Sequence, residues 1–137
     1  KTEQEIIINP KMSFGTGHHE TTSGMLEMMM SVDFKDKEVI DIGCGTGVLA
    51  IYASMLGANS IIAIDNDSIC VENSIENNSL NSITNIEVYH NDAEGLRNLK
   101  ADIILANINR NILHISKFIF LILIGDSRII TIKVKRV

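Results

Sequence analysis

The stretch Val39-Ile40-Asp41-Ile42-Gly43-Cys44-Gly45-Thr46-Gly47-Val48-Leu49-Ala50 constrains the fold most. An apolar run meets three glycines in five residues and then a segment of helical character. Glycine lacks a Cβ, so its backbone can turn sharply and approach a ligand closely. A helix starting directly after such a turn presents free N–H groups and a positive end to an anionic group. A strand, a glycine turn and a helix in that order describe a nucleotide-type site at the carboxyl end of a strand.

The rest of the chain extends this unit. Expected strands cover Glu38 to Ile42, Ser60 to Ile64, Ile86 to His90, Asp102 to Ala106 and Arg128 to Val134. Expected helices cover Thr46 to Leu56, Asp67 to Leu80 and Asn109 to about Leu123, with Gly57 ending the first of them. In the second, Ile69, Val71 and Ile75 are expected to share one side. Strands apolar on both faces, alternating with helices, predict an α/β fold: a doubly wound, mostly parallel sheet with right-handed crossovers. Ahead of it, Ile6-Ile7-Ile8 reads as a short strand ending in a turn at Asn9-Pro10. Lys11 to His19 reads as a loop. Glu20 to Ser31 reads as a helix packed through Met25, Leu26, Met28 and Met29, with Thr21 or Thr22 available as its cap.

The bulk numbers narrow the function. The 137 residues suffice for one core, and 45% hydrophobic against 21% charged residues gives a globular chain. A formal net charge of −5 does not favour binding to a nucleic-acid backbone, which needs clustered Lys and Arg. It is ordinary for a soluble enzyme, and an acidic face would also suit a basic partner such as a Lys-rich protein. Cys44 and Cys70 form no disulfide framework or metal spacing, and read as reduced thiols of a cytoplasmic protein. The apolar run from Phe118 to Ile124 is too short to cross a bilayer, which takes about 20 residues.

In a doubly wound sheet, ligands sit beyond the carboxyl ends of the strands, where strand order reverses. Gly43, Gly45 and Gly47 follow the first strand. Asp65 follows the second, 18 residues past Gly47, where a carboxylate can accept both hydroxyls of an adenosine ribose; Asp67 is the better placed to cap the next helix. Asn91-Asp92-Ala93 follows the third strand. Asp92 could accept from an adenine amino group or simply serve a turn. Asn107 follows the fourth, where its carbonyl could aim an amine nucleophile at the cofactor's reactive end. Asn107 could also cap the next helix, as could Asn109. Two cofactors fit the first loop. Gly45-x-Gly47-x-x-Ala50 fits a dinucleotide, and Asp41-x-Gly43-x-Gly45-x-Gly47 fits S-adenosylmethionine. The second glycine loop, Phe14-Gly15-Thr16-Gly17-His18-His19-Glu20-Thr21-Thr22, has no place in a simple dinucleotide domain. Its adjacent histidines diverge and lack the i, i+4 spacing of a helical zinc site, so no metal is expected.

Together, Asn9-Pro10-x-Met12-x-Phe14-Gly15-Thr16-Gly17-x-His19-x-Thr21-Thr22, Asp41-x-Gly43-Cys44-Gly45-x-Gly47-x-Leu49-Ala50-Ile51, Asp65-x-Asp67 and Ala106-Asn107-Ile108 resemble the ribosomal protein L11 methyltransferases, the PrmA family. The likeness runs from about Ile7 to Leu113. It implies a Rossmann-like class I methyltransferase fold, shortened at the C-terminus, because the chain stops before the last antiparallel hairpin. It implies S-adenosyl-L-methionine as methyl donor and a large-subunit ribosomal protein as substrate, methylated on lysine or N-terminal amino groups. No direct contact with nucleic acid or membrane is implied. Residues 1–37 would form linker, glycine loop and lead-in helix, and 38–137 the cofactor-binding core, with an N-terminal substrate-recognition domain absent. The resemblance places cofactor contacts at Thr22, Gly43, Asp65 and Asn107, and closes the Phe14-to-His19 loop over the reactive end. Within that frame Asn107 orients the amine, Phe14 walls the site, and His19 is a candidate base. Rival readings are a same-fold methyltransferase with another substrate, a cofactor-binding remnant without activity, and a dinucleotide oxidoreductase.

Overall fold

A computed structural model describes residues 3–11, 19–92, 95, 99–106 and 128–131, with the side chains of 19–22 and 128–131 outside that description. Eight elements follow in chain order: α1 (His19–Met29), β1 (Glu38–Ile42), α2 (Val48–Met55), β2 (Ser60–Asp65), α3 (Ser68–Leu80), β3 (Ile86–His90), β4 (Ile103–Ala106) and β5 (Arg128–Thr131). The strands form one sheet in the order β3-β2-β1-β4-β5, and all four pairings are parallel. The chain therefore moves outward from β1 to β3, then returns to the other side of β1. That reversal opens the crevice beyond the carboxyl ends of β1 and β4.

Strand alternation divides the core. Val39, Ile61, Ala63, Ile103 and Leu105 face one side, where they meet Leu49, Ala50 and Ala53 of α2 and Met25 and Met29 of α1. Ile40, Ile42, Ile64, Ile104 and Ala106 fill the other, with Leu99 and Ala101 packed against them. Each fully buried Ile or Leu contributes about 1.5–3 kcal/mol, so this two-faced burial outweighs the weak propensities of the short strands. The expected helix over 109–123 and the strand residues after 131 lie outside the described residues.

Three expectations need correction. Residues 6–8 form no strand; they belong to an extended segment, 3–11, bonded to side chains of α3 instead of to a sheet edge. On α1, Met25 and Met29 are fully buried while Met28 is 43% exposed, because residues four apart share a face and Met28 lies off it. On α3, Ile69 and Ile75 are exposed, and the buried face is Cys70, Asn73, Ser74, Asn77 and Asn78. An extended backbone needs hydrogen bonds, and Asn73 and Asn77 on this face supply them; Ser74 and Asn78 do not bond it.

Candidate functional site

The turn after β1 is built from left-handed backbone. Gly43, Gly45 and Gly47 have φ of 70°, 55° and 87°, a region that costs a side-chain-bearing residue steric strain. The amides of Gly43 and Cys44 both donate to the Ile64 carbonyl at 2.9 and 3.0 Å, pinning the turn to the end of β2. Gly47 N–H closes the turn on Cys44 O at 2.8 Å. Gly47 is the N-cap of α2 and supplies no side chain to its first turn; the Ala50 N–H there lies against Asp41, and the first N–H groups of the turn are left for a ligand. A Cβ on Gly47 would stand 2.5 Å from the Ser74 hydroxyl, so α3 presses directly on this turn.

Asp65 ends β2 and joins two other parts of the site. Its Oδ2 accepts from Gly45 N–H at 3.0 Å and its Oδ1 from Asp67 N–H at 3.0 Å. Asp67 in turn caps α3 by accepting from Ile69 N–H at 2.9 Å, as the sequence indicated. The Cys70 thiol also bonds to this carboxylate; a carboxylate has about four acceptor positions, so one is left for a ribose hydroxyl. The Asp65 carbonyl accepts from Asn91 N–H at 3.0 Å, which brings the β3 terminus and the exposed Asp92 to the same rim.

Beneath the turn lies Asp41, 1% exposed, with neither carboxylate oxygen hydrogen-bonded. Burial pushes its carboxyl up to about 7; the backbone amide of Ala50 opposes this without forming a full hydrogen bond, and the nearby Asp65 charge adds to it. Burial likewise holds the Cys44 thiol far above its usual range, reinforced by the charges of Asp41 and Asp65, and pushes Cys70 up to about 12. Neither thiol is in a disulfide and both are neutral, which removes them as nucleophiles at ordinary pH.

The structure thus brings Gly43, Gly45, Gly47, Asp65 and Asp92 to one rim of the crevice. Phe14 and Asn107 lie outside the described residues, as do the side chains of His19 and Thr22; the backbones of His19 and Thr22 belong to α1. Sequence reasoning missed Asn77 and Ser74, which contact the glycine turn from α3. The signal was present: Asn73, Asn77 and Asn81 recur every four residues and mark one helix face. No helix among the described residues is long and apolar enough to cross a membrane. Among them no group of three His, Cys, Asp or Glu could hold a metal ion.

A glycine turn on β1, an acidic residue ending β2 and a parallel sheet reversing between β1 and β4 define the α/β fold of class I methyltransferases. Within that class the chain belongs to the family of ribosomal protein L11 methyltransferases (PrmA), which it matches over residues 1–131. It is 59% identical over 114 residues to the ribosomal protein L11 methyltransferase of Phocaeicola vulgatus, covering 82% of this chain and 41% of that protein. The corresponding protein of Bacteroides thetaiotaomicron is 54% identical over 110 residues, covering 80% and 39%. The chain thus spans about two fifths of the length of these relatives. The crystal structure of a ribosomal protein L11 methylase from Lactobacillus delbrueckii subsp. bulgaricus superposes with a TM-score of 0.79 at 28% identity, covering 94% of this chain and 70% of that one.

Proposed function

We propose that this chain forms the cofactor-binding core of an S-adenosylmethionine-dependent protein methyltransferase that acts in the cytoplasm on amino groups of ribosomal protein L11. The observation that carries the cofactor reading is Asp65, fixed by Gly45 and Asp67 amides beside an uncapped helix start. That arrangement separates two recognition tasks about one crevice: a carboxylate for ribose hydroxyls and backbone N–H groups for a carboxylate. Family membership supports the substrate.

S-adenosylmethionine, when bound, supplies an electrophilic methyl group. The protein's work is then placement and dehydration. Gly43, Gly45 and Gly47 admit close backbone approach, Asp65 holds the ribose, and Asp92 at the β3 end can accept from the adenine amino group. A lysine amine, with an ordinary pKa of about 10.4, must reach the site unprotonated. Desolvation lowers that value. Asn107, one residue past β4, accepts an N–H of the amine and aims its lone pair; Phe14 provides an apolar wall, Thr22 a cofactor contact, and His19 or solvent takes the proton. Most of the rate comes from alignment and water exclusion. The test is Asn107→Ala in the full-length protein. Turnover on L11 is expected to fall at least a hundredfold with cofactor affinity within about threefold of wild type. Equal losses in both would remove the orienting role.

A further inference from the structure

Asn73 and Asn77 of α3 and Asn81, its C-cap, hold the extended segment 7–11 by its backbone. Asn81 exchanges two hydrogen bonds with Ile7, accepting from its N–H at 2.8 Å and donating to its carbonyl at 2.7 Å. Asn77 accepts from Asn9 N–H at 2.9 Å. Asn73 donates to the Asn9 carbonyl at 2.7 Å and accepts from Lys11 N–H at 3.4 Å. The register is physical: four helical residues rise about 6 Å and two extended residues about 6.6 Å, so an asparagine at every fourth position meets every second backbone position. A Lys11–Glu76 ion pair and an Asn9–Glu76 hydrogen bond flank the row.

Asn77 differs from its two neighbours. It is fully buried, and its amide nitrogen donates to the Thr46 carbonyl at 2.8 Å, in the middle of the glycine turn. An amide has one acceptor end and one donor end. With the oxygen engaged by Asn9, the nitrogen has to face Thr46. We infer that Asn77 is a positioning residue for the glycine turn, and that docking of segment 7–11 sets its orientation, so a segment distant in sequence controls the shape of the turn. The inference deepens the cofactor reading, and its ligand arm rests on that reading.

The test uses the full chain with Asn77→Asp, Asn9→Pro and Asn81→Ala. Asn77→Asp keeps the acceptor for Asn9 and puts an oxygen against the Thr46 carbonyl. Asn9→Pro removes the N–H and leaves α3 intact. Asn81→Ala weakens the clamp without touching the turn. Amide hydrogen exchange at Gly45 and Gly47, without ligand, is expected to quicken at least tenfold in the first two and stay within twofold in the third, with the β1 and β2 amides unchanged. Unchanged exchange at the turn in Asn9→Pro, or an equal rise in Asn81→Ala, overturns the inference; Asn9→Pro decides if Asn77→Asp does not fold. In calorimetry with S-adenosylhomocysteine, the first two variants are expected to bind at least fivefold more weakly and Asn81→Ala as wild type. A wild-type chain that fails to bind S-adenosylhomocysteine refutes the cofactor reading, while the exchange result still decides the role of Asn77.

Discussion

Asp41→Asn tests whether a buried, unbonded carboxylate lies under the glycine turn. The folded carboxyl titrates near 7, against 3.8 as its ordinary value. The folded chain therefore holds this proton across a window in which the unfolded chain has lost it. Stability from this source is fully present below about pH 4 and is lost as pH rises through about 7. At about 1.4 kcal/mol per pH decade, the two values imply a loss of roughly 2.5 kcal/mol between pH 5 and pH 8. Asparagine does not titrate, so Asp41→Asn removes that slope. Among the described residues the other shifted groups act outside the window: both cysteines titrate above it, and Lys11 holds the half-buried Glu76 below its usual range. Urea midpoints for wild type and variant, measured from pH 5 to pH 8, check this. The two curves should diverge, with the variant gaining on wild type as pH rises. Parallel curves would refute the argument that Asp41 is buried and uncompensated.

The glycines separate strain from collision. Gly47→Ala meets both a φ of 87° and the Ser74 hydroxyl, so it should cost about 1–3 kcal/mol in thermal unfolding and weaken S-adenosylhomocysteine binding in calorimetry. Gly57→Ala has a φ of 101° but its nearest neighbour is Lys35 Cα at 3.5 Å; it should lose about 1 kcal/mol in the same melt with unchanged binding. Asp65→Ala frees the Gly45 and Asp67 amides and should reduce cofactor affinity more than tenfold, read in the same titration.

The sheet was legible because burial on two faces leaves continuous apolar runs, and β1 through β4 fall within one residue of their expected bounds. The rim was legible because Gly43, Gly45, Gly47 and Asp65 each stand at a strand end. Segment 3–11 and α3 were misread for one reason. Hydrophobic periodicity ranks side chains by polarity and assumes an apolar partner. Besides β2 and β3, α3 meets an extended backbone, whose demand for hydrogen bonds put Asn73 and Asn77 inside, while Ile69 and Ile75 lie outside. Ile6-Ile7-Ile8 has a strand's composition, yet its hydrogen bonds go to side-chain amides, which no strand propensity encodes. Asp41 is one letter of the glycine motif, and nothing in that pattern encodes its burial.

The account rests on which cofactor the glycine turn holds. Calorimetric titration of the folded chain with S-adenosylmethionine and, separately, with NAD decides it. The account predicts saturable binding of S-adenosylmethionine at one site, lost in Asp65→Ala, and no measurable binding of NAD. Tight NAD binding without S-adenosylmethionine binding would contradict it.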